Sequence, residues 1–231
     1  MLAHIDAFFN KYSKASLQTV ANTIFPYSLY RRMGADGVYR VYPEVVYPRI
    51  MRCKENRWGT YAHRLVRRIS DKGVVVNPLE TVVSRLISES KNGGPKRARY
   101  ELNLVEPFTD LSTGDTTTTG DNFALGGPCL SHLSFKLRPG GLLSLTAFYR
   151  SHYYIERALG NLIGLSRLLN FVARESNLQM GPITCISSYA VIDKTKWGLT
   201  GVDNLIGECK SLLSDIVDSD ISRNVAMVDG S

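Results

Sequence analysis

Gly126–Asp193 reads GGPCLSHLSFKLRPGGLLSLTAFYRSHYYIERALGNLIGLSRLLNFVARESNLQMGPITCISSYAVID, and its reading decides the fold. Two apolar runs, Leu130–Leu137 and Leu142–Tyr149, flank Arg138-Pro139-Gly140-Gly141. Runs of that length around a Pro-Gly-Gly turn predict a β-hairpin. A Gly-Gly-Pro lead-in places Cys129 just before the first strand, and the second strand delivers Arg150 and Ser151 at its C-terminal end, where strand ends build sites. A segment rich in Leu, Ile and Phe then predicts a helix from about Ala158 to about Glu175, apolar on nearly all sides and therefore buried.

Outward from that block, Ser16–Met33 begins with an N-cap residue and keeps helical spacing until Pro26, predicting two helices that meet at Phe25-Pro26. Val38–Ile50 alternates Tyr, Val and Pro, and Pro43 and Pro48 demote it to an irregular or edge segment. Arg52–Arg68 is the most basic stretch, readable as a phosphate-lined face or as a solvated helix. Asn77-Pro78 opens a helix to about Ser90, with Leu79, Val82, Val83, Leu86 and Ile87 on one face. Gly93-Gly94-Pro95 ends it, and a short strand follows Arg97 and Arg99. Residues 109–122 form a polar Thr/Gly/Asp loop, and Gly201–Val217 reads as an amphipathic helix before a polar tail. The order predicts one α+β domain over 1–231, with helices against one large sheet.

Composition bounds the function. With 231 residues, 44% of them hydrophobic, the chain can bury a large core. No run approaches the roughly 20 apolar residues of a membrane span, and MLAHIDAFFNKYSK lacks the pattern of a secretory signal. Cys53, Cys129, Cys185 and Cys209 lie far apart without ligand-like spacing to His, which argues against a metal and for reduced thiols in the cytoplasm. A net charge of +7 suits an anionic partner, a phosphate-bearing small ligand ahead of nucleic acid.

Pro128-Cys129-Leu130, Tyr149-Arg150-Ser151-His152-Tyr153 and Leu159-Gly160-Asn161-Leu162, in that order and spacing, resemble the thymidylate synthase family. That family carries a Pro-Cys-His nucleophile segment, a hairpin ending in Gln-Arg-Ser-x-Asp, and a Pro-Phe-Asn-Ile helix start. The resemblance implies a large mixed sheet packed against helices with one long buried helix. It also implies C5 methylation or hydroxymethylation of a pyrimidine nucleotide with 5,10-methylenetetrahydrofolate as donor. Cys129 would be the nucleophile, Arg150 and Ser151 would hold phosphate, and Asn161 would read the base, favouring uracil over cytosine. Trp58, beside Gly59, would line the base pocket. Arg97 and Arg99 would reach the partner subunit's phosphate in a homodimer.

The residues have plainer readings as well. A cysteine is often a small buried hydrophobe, Arg150 could make a strand-end ion pair, and Asn161 could cap the helix. His132 and His152 flank the region as general-base candidates or plain polar positions, while Cys185 and Cys209 read as structural. Leu130 replaces the family's His, and Tyr153 replaces its folate-contacting Asp. Ser187–Val191 does not reproduce its sugar-binding segment, and Asn22 and Glu44 stand for its catalytic Glu by region alone. The closing C-terminal tail has no counterpart. The alternative is therefore an offshoot without folate chemistry that binds or senses a nucleotide or acts as an interaction protein.

Overall fold

The computed structural model describes residues 2–12, 14–53, 59–70, 72–91, 96, 98–105, 128–192 and 197–228. Its centre is a four-stranded mixed sheet, ordered β3-β4-β5-β7. The strands are β3 (Glu101–Asn103), β4 (Leu130–Arg138), β5 (Leu142–Tyr149) and β7 (Gln179–Ser187). The hairpin expected from the sequence is β4–β5, paired antiparallel from Leu130↔Tyr149 to Arg138↔Leu142 around Pro139–Gly141. β7 returns parallel to β5. The crossover is the expected apolar helix, α7 (Leu159–Glu175), the connection that parallel strands demand. Four further strands are two residues long and form two ribbons: β1 (Arg68–Ile69) with β2 (Val75–Val76), and β6 (His152–Tyr153) with β8 (Ala190–Val191). The sheet of the described residues is thus smaller than the single large one expected, and the mixed helix-and-sheet class stands.

Leu133, Phe135, Leu143, Leu145, Ala147 and Tyr149 line the sheet's inner face and pack with Leu165, Leu168, Leu169 and Phe171 of α7 in the main core. The helix α2 (Leu17–Ile24) lies across α7 and starts at Ser16, whose Oγ accepts from the Thr19 N–H at 3.1 Å. Two glycines set that crossing. A Cβ on Gly160 would stand 2.6 Å from Val20 Cβ, and one on Gly164 would stand 2.8 Å from Ala21 O. Pro26 then separates α2 from α3 (Tyr27–Asp36), as the sequence predicts.

Residues 37–50 overturn the edge-segment expectation. They form a π-helical stretch (Gly37–Val46) running into α4 (Tyr47–Ile50). Pro43 lies within the wide turns, where Tyr47 N–H reaches back five residues to Tyr42 O, and Pro48 sits in the first turn of α4, where its missing N–H leaves nothing unpaired. The basic stretch also differs from the solvated helix considered for it. In α5 (Tyr61–Val66), Tyr61, Ala62, Arg64, Leu65 and Val66 are buried, and Arg64 Nη1 donates to Leu104 O at 2.7 Å. The helix α6 (Pro78–Lys91) is capped by Asn77, whose Oδ1 accepts from Glu80 N–H at 3.0 Å.

A second core joins α1 (Leu2–Lys11) to the C-terminal helix α8 (Leu199–Val228) through Ile5, Phe9, Leu17, Trp197, Val202 and Leu205. α8 runs on through Val228, where a polar tail was expected. No helix among the described residues is long and apolar enough to cross a membrane.

Candidate active site

Cys129 lies immediately before β4, next to a bulge between Leu130 and His132 that breaks strand alternation and leaves Leu130 and Leu133 both buried. Bulges of this kind re-aim neighbouring side chains. The cysteine's backbone is pinned from three sides. Its N–H donates to the Tyr61 hydroxyl at 3.2 Å, and Leu130 N–H donates to the same oxygen at 3.3 Å. Its carbonyl accepts from Arg150 N–H at 2.8 Å. Tyr61 is itself buried at the start of α5, which Thr60 caps by accepting from His63 N–H at 3.2 Å. Burial, with the neighbouring Cys129 second, pushes the Tyr61 hydroxyl up to about 12, so it remains protonated at neutral pH.

A guanidinium such as that of Arg150 lowers a nearby thiol. The structure corrects the net sign. Burial is the largest influence and raises the thiol; Arg150 and then Arg157 pull it back, and it stays above its ordinary value. Arg157 was not foreseen. It sits in a π-helical turn (Tyr154–Ala158) between β6 and α7, with its Nη2 3.0 Å from Glu156 Oε1. Arg150 holds its own chain rather than a strand-end carboxylate: Nε and Nη2 donate to Pro128 O at 3.2 and 2.6 Å. That fork fixes the residue before the cysteine and keeps a guanidinium near enough to act on the thiol. Ser151 is half-buried at the strand end beside it.

Asn161 does not cap α7; Ala158 occupies that position, and Asn161 lies inside the first turn at 5% exposure. Its Nδ2 is 3.0 Å from His152 Nε2, and His152 Nδ1 is 2.9 Å from Ser187 Oγ. The His152 ring stacks on Tyr149 at 4.2 Å and 5° between planes. Burial lowers His152 below its ordinary value, which favours the neutral ring. Cys129, Arg150, Tyr149, His152 and Asn161 are thus joined through one end of the sheet and the start of α7. His132 is held elsewhere, with Nδ1 2.7 Å from Asn103 Oδ1 and Nε2 2.8 Å from Glu101 Oε2 on the β3–β4 surface.

Arg99 also lies apart. Its Nη1 is 2.8 Å from Glu89 Oε1, and it borders a groove of about 710 Å³ along α6 with Asn77, Glu80, Arg85, Glu89 and Lys96. None of Cys129, Arg150, Ser151 and Asn161 lines that groove. Arg97, Trp58 and the 109–122 loop lie outside the described residues. Asn22 accepts from Gln18 Nε2 through its Oδ1 at 3.0 Å on the outer face of α2, and Glu44 lies in the π-helical stretch. Cys185 is a half-buried residue of β7, its thiol raised by burial, and Cys209 packs against the second core. Among the described residues, no group of three or more His, Cys, Asp or Glu could hold a metal ion.

Sequence reasoning missed Tyr61 and Arg157. Tyr61 comes two residues after the Trp58-Gly59 pair, and no local signal ties it to a cysteine 68 positions later. Arg157 stands in the interval between the Arg150-Ser151 pair and Asn161, where a search for nearby cations would have found it.

No family model matches the chain. A protein of Methanosarcina barkeri named "Putative thymidylate synthase" is 38% identical over 79 residues, 34% of this chain and 35% of that protein. Proteins of the same name from Methanosarcina acetivorans and Methanosarcina mazei are 35% and 34% identical over 79 residues. The chain matches about a third of the length of these curated relatives. The likeness supports a distant thymidylate synthase-like relationship over that part of the chain.

Proposed function

We propose that the site around Cys129 binds a pyrimidine nucleotide, uracil type favoured, and carries methyl or hydroxymethyl transfer to C5. The carrying observation is a half-buried thiol on a pinned backbone with Arg150 and Arg157 both acting on it. A thiolate that adds to C6 forms a C–S bond and moves the ring electron pair to C5, which can then attack a one-carbon electrophile. The two cations favour the thiolate against the opposing effect of burial. In this reading Arg150 and Ser151 grip the phosphate, Arg150 through the guanidinium edge not used on Pro128. Asn161 and Trp58 contact the base. Arg97 and Arg99 reach the neighbouring subunit's phosphate in a homodimer, which agrees with Arg99 lining a groove that Cys129 does not border.

The relatives' name carries folate into this reading as the donor. The residues fit that group poorly at one point: Tyr153, 37% exposed on β6, supplies a ring and a hydroxyl but no carboxylate for a pterin. The same observation, with the thiol's net upward shift, favours a second reading, a nucleotide-binding or sensing protein without folate chemistry.

Tritium release from 5-tritiated dUMP, UMP and CMP, with and without methylenetetrahydrofolate, tests the proposal, with Cys129→Ala as control. Release abolished in the variant supports the C6 adduct, and folate dependence supports transfer. No release from a protein that binds a nucleotide refutes the transferase and leaves the binding module.

A further inference from the structure

We infer that Arg157 binds the phosphate of a nucleotide at Cys129, as the second cation that this phosphate needs within one protomer. This rests on the reading that the site takes a pyrimidine nucleotide. It adds to that site a residue that the likeness to thymidylate synthases does not supply.

Arg157 lies in the π-helical turn that runs into α7, four residues before Asn161. Residues four apart on a helix share a face. The arginine therefore stands one turn outward from Asn161, and its side chain is 40% exposed where Asn161 is buried. Its action on both Cys129 and Tyr61 puts its charge at the same end of the sheet.

The guanidinium is held and only partly spent. Nη2 lies 3.0 Å from Glu156 Oε1, and no bond to Nε or Nη1 occurs among the described residues. Glu156 does not cancel that charge, because its Oε2 is 3.6 Å from Lys14 Nζ. Lys14 is itself seated 5.5 Å over the Trp197 ring of the second core. One carboxylate between two cations thus fixes Arg157 and leaves the trio with one positive charge.

A phosphate monoester carries about −1.5 to −2 charges at neutral pH. Arg150 balances one, and its Nε and Nη2 already donate to Pro128 O. Arg99 lines a groove that Cys129 does not border. Arg157 then supplies the remaining charge, with two free donor groups in the fork that phosphate oxygens fit.

Calorimetric titration of the full chain with dUMP and UMP, and with the phosphate-free deoxyuridine and uridine, tests the inference. Arg157→Ala should weaken the nucleotides by about 10- to 100-fold and leave the nucleosides within about twofold. Arg157→Lys keeps the charge without the fork; it should fall between wild type and Arg157→Ala, and it carries the test alone if the alanine variant does not fold. Where the nucleosides bind too weakly to titrate, nucleotide affinity between about pH 5 and about pH 7 decides: it should rise as the phosphate loses its second proton, and rise less in the variants. Nucleotide affinity unchanged in the variants, equal loss for nucleotide and nucleoside, or an unaltered pH profile overturns the inference and leaves the nucleotide reading intact. A wild type that binds neither dUMP nor UMP overturns both.

Discussion

Tyr61→Phe isolates the hydroxyl that holds the cysteine's backbone. The change keeps the ring in its buried seat and deletes the acceptor of two N–H groups, those of Cys129 at 3.2 Å and Leu130 at 3.3 Å. Leaving a buried donor unpaired costs about 1–3 kcal/mol. The Leu130 N–H is buried and the Cys129 N–H only partly so, and both bonds are at the long end of the usual range. The combined loss should therefore be about 1–3 kcal/mol. In a urea titration the midpoint falls while the slope is unchanged, because no new surface is exposed. For a chain of this size the melting temperature drops by roughly 2–4 °C per kcal/mol. Peptide-resolved alkylation of the native protein should also change at Cys129 and stay constant at Cys53, Cys185 and Cys209. A variant as stable as the wild type, with unaltered labelling of Cys129, would refute the claim that Tyr61 pins the nucleophile.

Arg150→Ala and Arg157→Ala each remove a cation that lowers the Cys129 thiol; alkylation of Cys129 should slow at neutral pH and its profile should move to higher pH, and faster labelling would contradict this. Gly160→Ala drives a methyl into Val20 at the α2–α7 crossing and should cost about 1–3 kcal/mol, whereas Gly207→Ala meets nothing and should stabilise by about 0.5–1 kcal/mol; denaturation curves read both. His63 is held down to about 4 by burial and by Arg67, Arg64 and Arg68, against an ordinary 6.5. The unfolded chain then binds the proton first, so this contribution is complete above about pH 6.5 and is lost as pH falls toward 4. His63→Phe, with its ring against Tyr47, should flatten the stability profile across that window, and an unchanged slope would count against it.

The hairpin and α7 were legible because their signals are local: two apolar runs around Pro139-Gly140-Gly141, and a leucine-rich segment after Ala158. The Cys129, Arg150 and Asn161 group was legible for the same reason, since one strand pair and one helix start bring those residues together. The π-helical stretch was not, because Pro43 and Pro48 signal a break in any pattern and a wider turn accommodates them without changing the sequence. Arg64 was misread because charge suggests exposure until Leu104 O is known to receive it. The net direction of the Cys129 thiol was also hidden. Arg150 is visible in the sequence, but the burial that outweighs it comes from elements far along the chain.

The long-range contacts that hold Cys129 also bear on when its site forms. Tyr61 reaches Cys129 across 68 positions, and α2 meets α7 across some 140. Closing such separations is the slow part of folding a mixed sheet. A chain emerging from synthesis can build the β4–β5 hairpin from its own turn while Cys129 still stands open to solvent and oxidants. The protection of that thiol is then a clock for the whole chain, stopping only when the most distant segments have docked.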